Sequence, residues 1–206
     1  MTPRSLALAR FPALACLLLF TLPVAAQQSA PVRVRGAISK VDLPTLTVKS
    51  REGPEVVMKL AENARIVAVQ KASLTDVKPG SYVGIAAMPR PDGSQMAIEV
   101  LIFPESMRGA GEGHRPWDLM PESTMTNATV ADTVTKTDGQ TLTLSYKDGQ
   151  KTIVVPPEAP IVTFIPAEGA DLKPGVRVMA TVVKAAEGPA ALNSIVVGKD
   201  GVDPPM

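Results

Sequence analysis

Asp76-Val77-Lys78-Pro79-Gly80 and Asp171-Leu172-Lys173-Pro174-Gly175 are one turn written twice, 95 positions apart. In each, proline fixes φ and the glycine after it permits positive φ, so both read as turns. Outward from them, Thr45-Leu46-Thr47 recurs as Thr141-Leu142-Thr143, and Gly53 as Gly149. Ala64-x-Ile66-Val67 recurs as Ala159-x-Ile161-Val162, and Gly93 as Gly188. Stretches 44–103 and 140–198 align with one single-residue gap. A period this long marks a tandem domain and not a solenoid of 20–50-residue repeats. The shared positions are turn and apolar strand residues, so the repeat specifies a scaffold. Any chemistry belongs where the copies differ or between them.

Each copy reads as short strands bounded by turns. In the first, 32–35 alternates and 36–41 continues it. Strands at 46–49, 56–60, 66–69, 82–88 and 96–103 follow, with turns at Arg51-Glu52-Gly53-Pro54 and Pro91-Asp92-Gly93. The second copy repeats the order at 128–135, 142–146, 151–155, 161–165, 176–183 and 192–197. Asp138-Gly139, Asp148-Gly149 and Glu187-Gly188 supply its hairpin turns. No segment sustains a 3.6-residue apolar period, so helix is expected only as single turns near 73–77 and 169–172. Val, Ile, Leu, Ala and Met carry the apolar content, which suits β-structure filled by branched side chains.

Five or six short antiparallel strands in such a length suggest a small closed barrel, which removes exposed sheet edges. With the D-x-K-P-G turn before the last long hairpin, each copy resembles a family of exported bacterial OB-like domains of unknown function. The expected fold is therefore all-β: two tandem OB-like barrels at 31–104 and 127–199, a Gly/Pro-rich connector at 105–126, and a flexible tail at 200–206.

Arg4 and Arg10 precede an apolar run at 11–22, Pro23 breaks it, and Val24-Ala25-Ala26 offers small residues before Gln27. This is the layout of a secretory signal peptide, 1–26, too short to persist as a membrane span. A lipoprotein reading of Ala13-Leu14-Ala15-Cys16 needs cleavage inside the apolar run. Cleavage after Ala26 removes Cys16, the only cysteine, and with it any disulfide, thiolate nucleophile or thiolate ligand. Of the 21 Lys and Arg it removes two and none of the 20 acids, leaving a net charge of −1. The expected location is the periplasm or outside, with no integral membrane segment.

The connector carries the chain's single His and single Trp, within Gly109-Ala110-Gly111-Glu112-Gly113-His114-Arg115-Pro116-Trp117-Asp118. Its glycines precede no helical pattern, so it is not a phosphate-binding loop. As an ordered linker it would bury Trp117 between the barrels and pair Arg115 with an acid. As a site, His114, Arg115, Trp117 and Asp118 would bind a small ligand or a protein partner. Trp117 would offer a rigid apolar face and Arg115 an anion clamp.

Met107, Met120 and Met125 flank the same Trp, and Met88 and Met96 lie on the preceding hairpin. Thioether and imidazole are soft ligands that select Cu(I). Trp117-x-x-Met120 resembles the spacing in small periplasmic copper and silver chaperones with OB-like barrels, although Glu122 stands where that family has a second Met. The resemblance implies copper held by His114 with Met107, Met120 or Met125, while the first reading needs no cofactor.

Enzymology has little to stand on. A Ser–His–acid site would need Ser106 or Ser123 to meet His114 and Asp118, without a nucleophile elbow. Acid pairs such as Glu105 with Glu112, or Asp118 with Glu122, are solvated loop residues in the simplest reading. Nucleic-acid binding lacks its physics, because only Tyr82, Phe103, Trp117, Tyr146 and Phe164 are aromatic after cleavage and no basic groove is indicated. Asn127-Ala128-Thr129 reads as a strand start. The expectation is a non-enzymatic binding or scaffold protein, with a Cu(I) protein as the alternative.

Overall fold

A computed structural model describes residues 30–51, 53–136, 139–183 and 187–204. The expected signal peptide with Cys16, Asp138 and the last two residues of the expected tail lie outside the described residues. The protein is all-β and contains a closed barrel. In chain order the strands are β1 (Val32–Asp42), β2 (Thr45–Ser50), β3 (Glu55–Lys71), β4 (Tyr82–Pro89), β5 (Gln95–Ile102) and β6 (Gly113–Pro116). The second half supplies β7 (Thr124–Lys136), β8 (Gly139–Tyr146), β9 (Gly149–Val155), β10 (Ile161–Pro166), β11 (Arg177–Val183) and β12 (Ala190–Gly198). The two expected helical turns are single 3-10 turns at Leu74–Asp76 and Gly169–Asp171. Each opens with a capping box, Asp76 accepting from the Ser73 amide and Asp171 from the Glu168 amide. That is why the repeated turn begins with aspartate.

The strands do not pair along the boundaries 31–104 and 127–199. β1 pairs β2, β2 pairs β3, β3 pairs β12 in parallel, β12 pairs β11, and β11 returns to β1. This terminal ring takes three strands from the first copy and a hairpin from the second. β7, β8 and β9 are closed by the hairpin β4–β5, with β5 parallel to β9. This inner ring occupies the contiguous stretch 82–155, nested within the terminal ring. The connector therefore lies inside one ring, joining β5 to β7, and does not run between two sequential barrels.

The exchange is written into equivalent bonds. The Gly80 amide donates to the Val130 carbonyl at 2.8 Å, and the Gly175 amide to the Ile38 carbonyl at 2.7 Å. Val130 returns a bond to Ser81, and Ile38 one to Val176. Each repeated turn thus docks on the other copy's first strand. Both first strands carry a bulge just past that contact, and both exchanged hairpins shift register at matching positions, Ala86/Ala87 and Thr181/Val182. Gly80 and Gly175 have φ of 91° and 86°, which explains glycine at the fifth turn position.

Alternation fills each ring. Val34, Ile38, Leu46, Val48, Met58 and Leu192 are among the buried side chains of the terminal ring. Val83, Ile85, Val130, Leu142, Leu144 and Ile153 do the same in the inner ring. A third cluster lies between them, where Val69, Leu101, Met125 and Val162 are packed by Phe103, Trp117, Phe164 and Val202. Here β3 and β10 cross antiparallel.

One expected feature differs between the copies. The segments 56–60 and 66–69 are one continuous strand, β3, while their counterparts are two strands, β9 and β10, broken at Pro156-Pro157-Glu158-Ala159-Pro160. Proline lacks the donor a ladder needs, so three prolines interrupt the strand in the second copy only.

Candidate functional site

The connector is an ordered strap. Arg108 donates to Glu105, to the Gly80 carbonyl at 2.9 Å and to Thr129. Tyr82 and Asn127 both donate to the Ala110 carbonyl. Glu112 accepts from the Lys147 amide. β6 then adds to the first half of β7, where β8 has not yet begun to pair. Beyond it the chain closes a small loop on buried Ser123. Its hydroxyl donates to the Met120 carbonyl at 2.7 Å and the Trp117 carbonyl, and accepts from the Met120 amide.

That loop delivers Trp117 and Asp118 onto the outer face of β1. Val34, Gly36 and Ile38 of β1 face into the terminal ring, so Arg33 and Arg35 between and beside them point out. Asp118 accepts from Arg35 at 2.8 Å and from Arg33 at 3.3 Å. The Arg33 guanidinium lies 3.8 Å from the centroid of the Trp117 ring, and that of Arg115 lies 5.4 Å away. Burial raises the Asp118 carboxyl, but the bond and charge of Arg35 and the charge of Arg33 outweigh it and hold the group below its ordinary range. The carboxylate is the ionic tie between the strap and the terminal ring. The indole Nε1 is buried and finds no acceptor among the described residues.

Among the described residues Arg115 does not pair with an acid. Its guanidinium donates to the Gly111 carbonyl at 2.8 Å. Burial, then the nearby charge of Arg33, lowers its pKa. Two arginines thus face one indole, and the single carboxylate there is engaged by Arg33 and Arg35.

His114 sits apart from this face. Adjacent residues on β6 point to opposite sides, and His114 projects with its register partner Thr126, whose hydroxyl lies 2.8 Å from Nδ1. Burial, Lys151 and Arg115 together lower its pKa. Met125 is the register partner of Arg115, so it leaves the β6–β7 ribbon on the other face and is buried in the central cluster. Met120 is exposed on the loop, and Met107 is half-buried in the 3-10 turn at Glu105–Met107. The strap therefore brings Arg115, Trp117 and Asp118 together with Arg33 and Arg35, and it separates His114 from Met125. Among the described residues no three His, Cys, Asp or Glu side chains converge. Tyr82, Phe103 and Phe164 stack in sequence, with ring centroids 5.3 and 5.6 Å apart, against the central cluster and not on an open surface.

A groove of about 740 Å³ opens between the rings. Its walls include Leu74, Ile98, Leu119, the Pro156–Pro160 break and Val202–Pro204. Of the strap only Leu119 reaches it. The volume falls within the roughly 300–1,000 Å³ of ligand pockets. Of these features, the broken strand had a signal in the sequence, the prolines that the first copy lacks. Arg33 and Arg35 had none beyond strand alternation, since their partner Asp118 is more than 80 residues away. No helix among the described residues is long and apolar enough to cross a membrane.

Comparison with known proteins returns no matching family model, no matching curated protein and no matching solved structure.

Proposed function

We propose that this chain is an exported, non-enzymatic binding protein of two OB-like barrels, and that its ligand is an anion taken on the face formed by Arg33, Arg115 and Trp117. The ring order supports the OB-like reading, since strands one, two, three, five and four of a five-stranded unit close on the first in both rings. The difference is that each unit takes its last hairpin from the other copy. The signal-peptide layout supports export.

The observation that carries the ligand class is Arg115: a half-buried guanidinium beside a second arginine, with a backbone carbonyl as its hydrogen-bond acceptor and no carboxylate in reach among the described residues. Guanidinium matches a carboxylate in two-point geometry, and the indole beneath supplies a rigid apolar floor. The ligand is the carboxylate of a small molecule or of a protein partner. With Asp118 occupied by Arg33 and Arg35, the scaffold is assembled before the ligand arrives.

Trp117 is the only tryptophan, so its fluorescence reports on this face alone. Titration with mono-, di- and tricarboxylates should change the emission saturably, and Arg115→Ala should weaken the best of them at least tenfold. An emission that no carboxylate changes, or an Arg115→Ala protein that binds as well as the parent, would dispose of the reading.

A further inference from the structure

Of the expected tail at 200–206, residues 200–204 are described, and Val202–Pro204 form one wall of the groove between the rings. The Lys199 amide donates to the Val69 carbonyl at 2.9 Å. Asp200 and Gly201 then take φ of 52° and 78°, and the Val202 amide closes the turn on the Lys199 carbonyl. Two consecutive positive φ angles are the signature of a tight reversal, which an Asp-Gly pair favours. Gly198 is required beneath it, because a Cβ there would collide with the Val202 carbonyl.

The reversal lays down three residues of different chemistry, each with its own receptor. Val202 packs on the central cluster. Asp203 receives Arg177 at 2.9 Å and Arg51 at 3.2 Å, from the start of β11 and the β2–β3 turn. Pro204 is buried. All three also form a wall of the 740 Å³ groove, facing Leu74, Ile98 and Pro156.

We propose that the seat along this wall of the groove is a peptide site, which the chain occupies with its own C-terminal segment, and that its outside partner is an extended acidic segment of the same pattern: a branched aliphatic residue, an aspartate and a proline. Charge complementarity selects the partner, since the Arg51–Arg177 pair demands a carboxylate between an apolar pocket and a proline seat. The bound segment is exchangeable. Its ion pairs are nearly half exposed on all three side chains, and such pairs hold weakly. The segment stays because it is tethered, at an effective concentration in roughly the millimolar range. The proline break in the second copy opens the groove, so the site lies where the two copies differ. This inference is independent of the anion face on the strap.

The test is fluorescence anisotropy of a labelled hexapeptide, acetyl-Lys-Asp-Gly-Val-Asp-Pro-amide, on the mature protein. Asp203→Lys should release the tethered copy, so the peptide binds this variant at least tenfold more tightly than the parent. Adding Arg51→Glu and Arg177→Glu to that variant should abolish binding, as should an Asn in place of the peptide's second Asp. In the parent, excess peptide should speed hydrogen exchange at the Lys199 amide. Equal affinity for parent and Asp203→Lys, binding to neither, or binding that survives both arginine reversals would overturn the proposal.

Discussion

Val69 and Phe164 face each other across the antiparallel pair of β3 and β10, and they are the same position in the two copies. On either side the partners interchange: Val162 pairs with Lys71, and Pro166 with Val67. The parallel ladders agree, since Ile66 opposite Ile195 matches Ile161 opposite Val100. A pseudo-twofold axis therefore passes between Val69 and Phe164, and the pairing is that of a strand-exchanged dimer fused into one chain.

The first prediction follows from that relation. A protease site placed at the exposed Gly109–Gly111 turn and cut should leave two fragments that co-elute at the native size, because each ring holds strands from both. Separation in native buffer would contradict the pairing described.

Trp117 packs against the central cluster, so Trp117→Ala should cost roughly 2–4 kcal/mol in urea unfolding, below the ~3–5 kcal/mol of a fully buried tryptophan. Trp117→Phe should cost about 1 kcal/mol or less, because the indole Nε1 makes no hydrogen bond among the described residues. Equal losses from both variants would refute that account of the packing.

Asp118 has a folded pKa below its unfolded value of about 3.9. Its contribution is therefore complete above that unfolded value and is lost as pH falls through the lower folded one. Asp118→Asn should flatten the stability-versus-pH curve below about pH 4, where the parent falls, with the difference between the proteins widest at neutral pH. Parallel curves for the two proteins would show that the strap's ionic tie contributes nothing.

His114, the chain's only histidine, should titrate by NMR below its ordinary value of about 6.5. A lowered folded pKa means that the unfolded chain binds the proton first. Stability from the neutral ring is complete above about 6.5 and is lost as pH drops through the lower folded value. A midpoint above about 6.5 would mean that a carboxylate outweighs burial and the charges of Lys151 and Arg115.

Gly80→Ala and Gly175→Ala should each destabilise by about 1 kcal/mol, and by similar amounts, since both sit at positive φ in equivalent turns that grip the other copy. Calorimetry that finds one turn indifferent would mean that the two docking contacts are not equivalent.

Most strands and both D-x-K-P-G turns were legible because they depend on local chemistry: alternation, the proline–glycine pair and the capping aspartates. The pairing was not, for a physical reason. Gly80 bonds Val130, but Ile38 occupies the same place in its own copy and presents the same carbonyl. Two near-identical acceptors give side-chain patterning no means of choosing between closure within a copy and exchange. The strap was legible as a place and not as a mechanism. Trp117 packs on the central cluster, but the partners of Asp118 come from a strand over 80 residues away, and Arg115 donates to a backbone carbonyl, with no acid paired to it among the described residues. Of the copper set, His114 and Met125 lie on opposite sides of the β6–β7 ribbon, because adjacent positions on a strand face apart. The tail's fastening had a signal in Asp200-Gly201, a turn pair at the edge of the repeat.

The pairing of β1 with β11 also sets an order of events. Val32 lies opposite Val182, so the earliest strand waits for one of the last to leave the ribosome. The inner ring draws on one unbroken stretch of chain, whereas the terminal ring closes through contacts of very long sequence separation, a kind that forms slowly. A premature stop before β11 would therefore leave β1 and β3 each short of one partner strand, and the terminal ring open, while sparing the inner ring.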